Sequence, residues 1–244
     1  MTRNISQNNL TMGSLFDGSG GFPLAAIMCG ITPVWASEIE KFPIEVTTKR
    51  FPNMKHLGDV QNVNGGEIEP VDLITFGSPC QDLSVAGRRS GLEGERSGLF
   101  MEAIRVIKEM RIKTNGRYPA IALWENVPGA FSSNGGEDFR TVIEEFCKIK
   151  DSSATVPEPK DRKWNDSGFI LGDGYSVAWR VLDAQFWGVP QRRRRIFLVA
   201  DFNGERAGEI LFERTSLSRH FKSCRQAWQR TAGSVEDCVR AWSE

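Results

Sequence analysis

The chain has 244 residues, 40% hydrophobic and 25% charged, a composition that fits one soluble α/β domain and holds no apolar run long enough to cross a bilayer. Its 31 basic residues are balanced by 31 acidic ones, which excludes a uniformly basic nucleic-acid-binding surface; any nucleic-acid contact would have to come from local clusters, of which Arg88-Arg89 and Arg192 to Arg195 are the clearest. Five scattered cysteines (Cys29, Cys80, Cys147, Cys224, Cys238) with no CxxC pair, and only His56 and His220 to join them, argue against a disulfide framework and a zinc site, so no metal is expected. The polar first eleven residues lack the apolar core of a signal peptide, which points to the cytoplasm and away from membranes.

Short apolar runs alternate with amphipathic stretches. Candidate strands at residues 11–16, 33–38, 55–58, 71–76, 119–125, 175–184 and 195–202 predict a mostly parallel, doubly wound, seven-stranded sheet with helices on both faces. In a helix beginning near Ser97, Leu99, Ala103, Val106, Ile107 and Met110 share one side, and Glu102, Arg105, Lys108 and Glu109 take the outer one. A second helix is patterned over residues 137–148. Residues 150–166, rich in Asp, Ser, Pro and Lys, read as a surface loop. After Phe202 the alternation fades, so the chain divides into one α/β domain at residues 1–202 and a poorly packed tail or linker at residues 203–244.

Four segments carry candidate chemistry. Ser14-Leu15-Phe16-Asp17-Gly18-Ser19-Gly20-Gly21-Phe22 is a strand running into a glycine-rich turn and a helix, a place where a ligand can approach the backbone closely. Many turns are rich in glycine, and Pro23 breaks the GxGxxG dinucleotide pattern; a nucleoside without pyrophosphate would not need that geometry. Glu38, at the end of the next strand, can accept from ribose hydroxyls, and Asp59 of Gly58-Asp59-Val60 from an exocyclic amine; either acid could equally cap a helix.

Gly77-Ser78-Pro79-Cys80-Gln81-Asp82-Leu83-Ser84 puts a cysteine in a loop at the carboxyl end of an apolar strand, the edge on which α/β folds build sites, although a structural thiol gives the same pattern. Trp124-Glu125-Asn126-Val127-Pro128-Gly129 ends another strand; a carboxylate there can hold a proton near neutral pH, or simply favour a helix N-terminus. In Gly188-Val189-Pro190-Gln191-Arg192-Arg193-Arg194-Arg195, a pleat starting at once would turn Arg193 and Arg195 to one face and Arg192 and Arg194 to the other.

In order and spacing, from about Met12 to Phe202, these segments resemble the bacterial and phage DNA (cytosine-5) methyltransferases: the Phe-x-Gly-x-Gly-Gly loop, the Pro-Cys-Gln loop, Glu-Asn-Val and Gln-x-Arg-x-Arg. The resemblance implies a Rossmann-like fold that binds S-adenosyl-L-methionine, with double-stranded DNA as substrate, in a restriction-modification or prophage setting. It makes Cys80 the nucleophile toward cytosine carbon 6. Glu125 of Glu125-Asn126 would neutralise N3, Arg195 would hold O2, and Arg193 would support the loop. The cofactor pocket would comprise Phe16, Asp17, Gly18, Gly20, Gly21, Glu38, Ile39, Asp59, Val60, Pro79 and Leu99. A mobile loop over residues 84–98, with Gln81, Ser84, Arg88, Arg89 and Arg96, would meet the DNA from which the target base is flipped.

The chain departs from the family twice. Many relatives carry an aspartate at the position of Ser14, and family members continue into a target-recognition region and a final helix that are not recognisable before Glu244. The implied protein is a truncated product, or one subunit of a split enzyme whose partner supplies the missing half, with weak activity alone; a catalytically dead remnant is the alternative. A cysteine hydrolase would need a histidine to activate Cys80, and a nicotinamide oxidoreductase an intact glycine pattern.

Overall fold

The computed structural model describes residues 10–79, 98–188 and 190–212. Strands β1 (Thr11–Leu15), β2 (Thr32–Ser37), β3 (Lys55–His56), β4 (Leu73–Phe76), β5 (Ile121–Asn126), β6 (Ser167–Gly172), β7 (Tyr175–Asp183) and β8 (Arg194–Asp201) form one sheet in the order β3-β2-β1-β4-β5-β8-β7-β6. The first five strands are parallel, β8 runs antiparallel beside β5, and β7 and β6 continue antiparallel from it. Helices α1 (Gly21–Met28) and α2 (Lys41–Arg50) connect β1 to β2 and β2 to β3, α3 (Gly98–Lys113) precedes β5, and α4 (Glu137–Lys148) and α5 (Ala207–Leu211) follow β5 and β8.

Seven strands are expected from the sequence and eight are present. The additional one, β6, has glycines at both ends of its apolar run, which weakens its strand signal. Those glycines are required by packing: a Cβ at Gly168 would fall 1.9 Å from the Trp179 ring and one at Gly172 2.0 Å from the Tyr175 ring. Both rings belong to β7, its hairpin partner.

Helices α3 and α4 cover one face of the sheet. Phe100, Ala103, Ile104, Val106, Ile107 and Met110 of α3 and Phe139, Val142, Ile143 and Phe146 of α4 are buried there, each larger side chain contributing roughly 1.5–3 kcal/mol. Phe76 of β4 packs against Phe100 and Phe146, joining strand and both helices. The outer face of α3 is more engaged than its charge pattern suggests. Arg105 pairs with Glu102 and Glu109 and also donates to the carbonyls of Val60 and Val63, fastening the segment after β3 to α3.

The other face is covered where Phe51 and Met54 pack on Ala36, and where Ala207 packs on Ala178 and Val199. For residues 207–211 the expectation of a poorly packed tail is therefore corrected. The Ala207 amide donates to the Ser176 hydroxyl, which donates in turn to the Gly204 carbonyl, and Ala207 is fully buried. A short helix of five residues has too little periodicity to announce itself in sequence. Residues 213–244 of the expected tail lie outside the described residues.

Residues 150–166 hold no strand or α-helix, as expected of a loop, yet Ala154 and Val156 are buried and Trp164 packs edge-on against Phe139 and Trp179. Among the described residues no helix is long and apolar enough to cross a membrane.

Candidate active site

Parallel strands bring their carboxyl ends to one edge, and the strand order reverses between β1 and β4, which opens a crevice there. The turn after β1 enters it with three residues at positive φ: Phe16 at 53°, Gly18 at 55° and Gly20 at 83°. For Phe16 that conformation costs of order 1–3 kcal/mol. The turn is tied to the next two strands. The Gly18 amide donates to Glu38 Oε2 at 2.7 Å, while Glu38 Oε1 accepts from the amides of Ile39 and Glu40 at 2.8 and 3.0 Å. The Ser37 hydroxyl donates to the Gly58 carbonyl at 2.7 Å, and Asp59 accepts from the Gln61 amide at 3.0 Å, capping a short turn. Asp59 thus performs the capping alternative, whereas Glu38 caps no helix and instead ties the glycine turn to the end of β2.

The expected cofactor residues are distributed as follows. A Cβ on Gly18 or Gly21 would meet no atom within 4 Å, so both present bare backbone to open space, whereas one on Gly20 would strike Phe51 at 2.6 Å. Phe16 and Leu99 are half-buried against the main core, and Pro79 and Ile39 are exposed. The Val60 side chain is buried within that core. Asp17 is 6% exposed, and neither of its carboxylate oxygens has a hydrogen-bond partner.

On the other side of the crevice the ends of β4 and β5 meet the start of β8. A Cβ on Gly77 would lie 3.2 Å from Glu125 Oε2, so the carboxylate rests directly against the backbone of the Gly77-Ser78-Pro79 segment. Arg195 Nε pairs with Glu125 Oε1 at 2.9 Å. Ser78 is buried and held twice: its hydroxyl accepts from Trp124 Nε1 at 3.2 Å and its carbonyl from Asn126 Nδ2 at 3.1 Å. Asn126 Oδ1 also accepts from the Val127 amide at 2.8 Å, which fixes the orientation of its side chain. Ser78 and Trp124 are site residues that sequence reasoning missed. Both stand inside quoted motifs, but nothing in a sequence reveals the partner of an indole N–H.

The pleat of β8 begins at Arg194. Alternation therefore separates Arg194 and Arg195 as expected, Arg194 pairing with Asp166 at 2.7 Å, but Arg192 and Arg193 precede the strand and are exposed. Arg193 is anchored by its backbone amide, which donates to Asp183 at 3.0 Å. Cys80, Gln81, Ser84, Arg88, Arg89 and Arg96 lie outside the described residues.

With this geometry established, comparison with known proteins is informative. Residues 10–150 and 171–235 match the C-5 cytosine-specific DNA methylase family. The chain is 34% identical over 239 residues to an Escherichia phage P1 protein named DNA N-6-adenine-methyltransferase, a stretch covering 86% of this chain and 31% of that protein. It is 31% identical over 187 residues to the Bacillus subtilis type II methyltransferase M2.BsuMI, covering 77% of this chain and 41% of the relative. An E. coli prophage protein described as a DNA modification methyltransferase shares the fold, with a TM-score of 0.55 at 23% identity over 79% of this chain and 47% of that one. The chain spans less than half the length of each of these proteins, so the phage protein's name describes a molecule most of which lies outside the match. The family match, covering most of the chain and both sides of the crevice, places this protein in the C-5 cytosine-specific DNA methylase family.

Proposed function

We propose that this chain carries the catalytic part of an enzyme that moves a methyl group from S-adenosyl-L-methionine to carbon 5 of a cytosine in double-stranded DNA. The observation that carries the reading is the Glu125–Arg195 pair, seated against the Gly77-Ser78-Pro79 segment whose next residue is Cys80.

Carbon 5 of cytosine is too weak a nucleophile to take a methyl group unaided. The Cys80 thiolate adds to carbon 6, forming an S–C bond and pushing the ring electrons toward carbon 5 and N3. Glu125 neutralises N3 and the Arg195 guanidinium holds O2, so charge that develops on the ring meets preplaced partners. The methyl donor, held by the crevice residues, would supply the methyl carbon to carbon 5 and leave as its neutral thioether; loss of the carbon 5 proton to a base would then return the electrons that expel the Cys80 thiolate. Carbon 6 is shielded inside a stacked duplex, so the target base is flipped out, with Arg88, Arg89 and Arg96 meeting phosphates and Arg193 supporting the active-site loop.

The crevice fits the methyl donor on three observations. Bare glycine backbone at positions 18 and 21 leaves room for a ligand, Glu38 joins that turn to the end of β2 through the Gly18 amide, and Asp17 is a buried acid without a counter-charge. When bound, that group supplies an electrophilic methyl carbon.

The test uses a pool of duplexes bearing 5-fluorocytosine in all sequence contexts, incubated with the chain and the methyl donor. Fluorine replaces the proton that must leave carbon 5, so even slow turnover accumulates a covalent protein–DNA complex that survives denaturation. The complex is expected with the wild type and absent from Cys80→Ser. A folded, donor-binding wild type that forms none, or transfers label to adenine, overturns the reading. The alternatives of a split subunit and a dead remnant separate on donor binding, which a usable half-enzyme retains and a relic has lost.

A further inference from the structure

Asp17 is anomalous for a buried acid. Its backbone is engaged, the amide donating to the Ser37 carbonyl at 3.2 Å and the carbonyl accepting from the Gly20 amide at 3.2 Å. Neither of its carboxylate oxygens finds a charged group or backbone amide in hydrogen-bond geometry, and the polar side chain that bears on it is the fully buried Ser14 hydroxyl, which has no other partner and holds the carboxyl down. The neighbouring charge that bears on it is Glu38, of the same sign. Buried polar groups in folded proteins are satisfied with few exceptions, and an unpaired carboxylate is among the costliest of those. Glu38 shows the contrast by accepting from three backbone amides.

We propose that the Asp17 carboxylate is the counter-charge for the α-ammonium of the methyl donor's amino-acid arm, and hence the residue by which the site distinguishes an intact donor from a bare nucleoside. This rests on the reading of the crevice as a methyl-donor site. Of the donor's groups, the adenine amine and ribose hydroxyls are neutral, and the sulfonium is charged but has no N–H. The α-ammonium alone combines a positive charge with three hydrogen-bond donors, which is what a buried carboxylate with only a hydroxyl beside it and no counter-charge requires. Without it, burial pushes the Asp17 carboxyl up to about 6, the Ser14 hydroxyl opposing that rise and the Glu38 charge adding to it. The ammonium must therefore displace a proton in mildly acidic solution, and donor affinity falls by up to about tenfold for each unit of pH below 6.

Isothermal titration of the purified chain with four ligands tests this: S-adenosylmethionine, S-adenosylhomocysteine, the deaminated analogue of S-adenosylhomocysteine, and 5′-methylthioadenosine. Asp17→Asn is expected to weaken the first two by roughly ten- to a hundredfold at pH 8 and to leave the last two unchanged. S-adenosylhomocysteine has no sulfonium charge, so its loss assigns the effect to the ammonium. The wild type provides an arm independent of any variant, because it must prefer S-adenosylhomocysteine to its deaminated analogue by a similar factor. Equal weakening of all four ligands, or no weakening of any, overturns the proposal while the methyl-donor reading stands. A folded wild type that binds none of them overturns both.

Discussion

Glu125 stands opposite Phe197 in the β5–β8 ladder, and Arg195, two residues before Phe197 on the same face, reaches back diagonally to close an ion pair of 2.9 Å. Both side chains are about a quarter exposed or less, at 24% and 22%, so the pair adds no more than about 1 kcal/mol to stability. On the proposed reading its value lies in holding two polar groups in position before a substrate arrives. Glu125→Gln and Arg195→Lys are each expected to slow trapping on 5-fluorocytosine DNA about a hundredfold, with melting temperatures within about 2 °C of wild type. Unchanged trapping rates would remove both residues from the reaction.

Gly77 tests the other contact of Glu125. Alanine there brings a methyl group to 3.2 Å from Oε2 and 3.7 Å from the Glu125 carbonyl, tight enough that the carboxylate must shift by a few tenths of an ångström. Gly77→Ala should slow trapping roughly tenfold while leaving methyl-donor affinity intact. Calorimetry showing lost donor binding would instead indicate collapse of the crevice.

The Ser78 clamp predicts a non-additive pair. Trp124→Phe removes the indole N–H and keeps most of the ring, and should cost about 1 kcal/mol in urea unfolding. Ser78→Ala removes the acceptor and leaves a buried N–H unpaired, so the double variant should be less destabilised than the sum of the singles by about 0.5 kcal/mol or more. Strict additivity would mean that the hydrogen bond contributes nothing.

Asp17 has a stability signature of its own. Its carboxyl rises from 3.8 to about 6 on folding, so the fold favours the protonated form. The associated stability is fully present below pH 3.8 and is lost as pH rises through 6, a change of about 3 kcal/mol at most. Without ligand, Asp17→Asn should therefore be more stable than wild type at pH 8, and the difference should vanish near pH 4. Paired urea titrations at the two pH values check this, and a variant less stable at pH 8 would contradict it.

Two thiols should differ sharply in reactivity. Cys147 is buried and its thiol is pushed up to about 12 by desolvation, with the Tyr175 hydroxyl opposing, whereas Cys29 is exposed. Peptide mapping after iodoacetamide treatment of the folded chain at pH 8 should find Cys29 modified and Cys147 protected, and both modified in urea.

The order of strands and helices along the chain, the two long amphipathic helices and the motif-bearing strand ends were legible in the sequence, because side-chain periodicity is a local property and strand-end motifs are contiguous. The glycine turn at residues 16–21 and the Glu125-Asn126 strand end stand where that reading expected them, on one edge of one sheet. Tertiary structure alone decided which side chains meet across it. The diagonal that joins Arg195 to Glu125 depends on β8 lying antiparallel beside β5, and the hold of Trp124 on Ser78 depends on the β4–β5 register; neither is a property of any short window of residues. Strand β6 escaped notice because its glycines look like strand breakers until the Trp179 and Tyr175 rings are laid over them. The isolation of the Asp17 carboxylate likewise comes from what surrounds it in space, since burial without a partner is a three-dimensional condition that residue identity cannot specify.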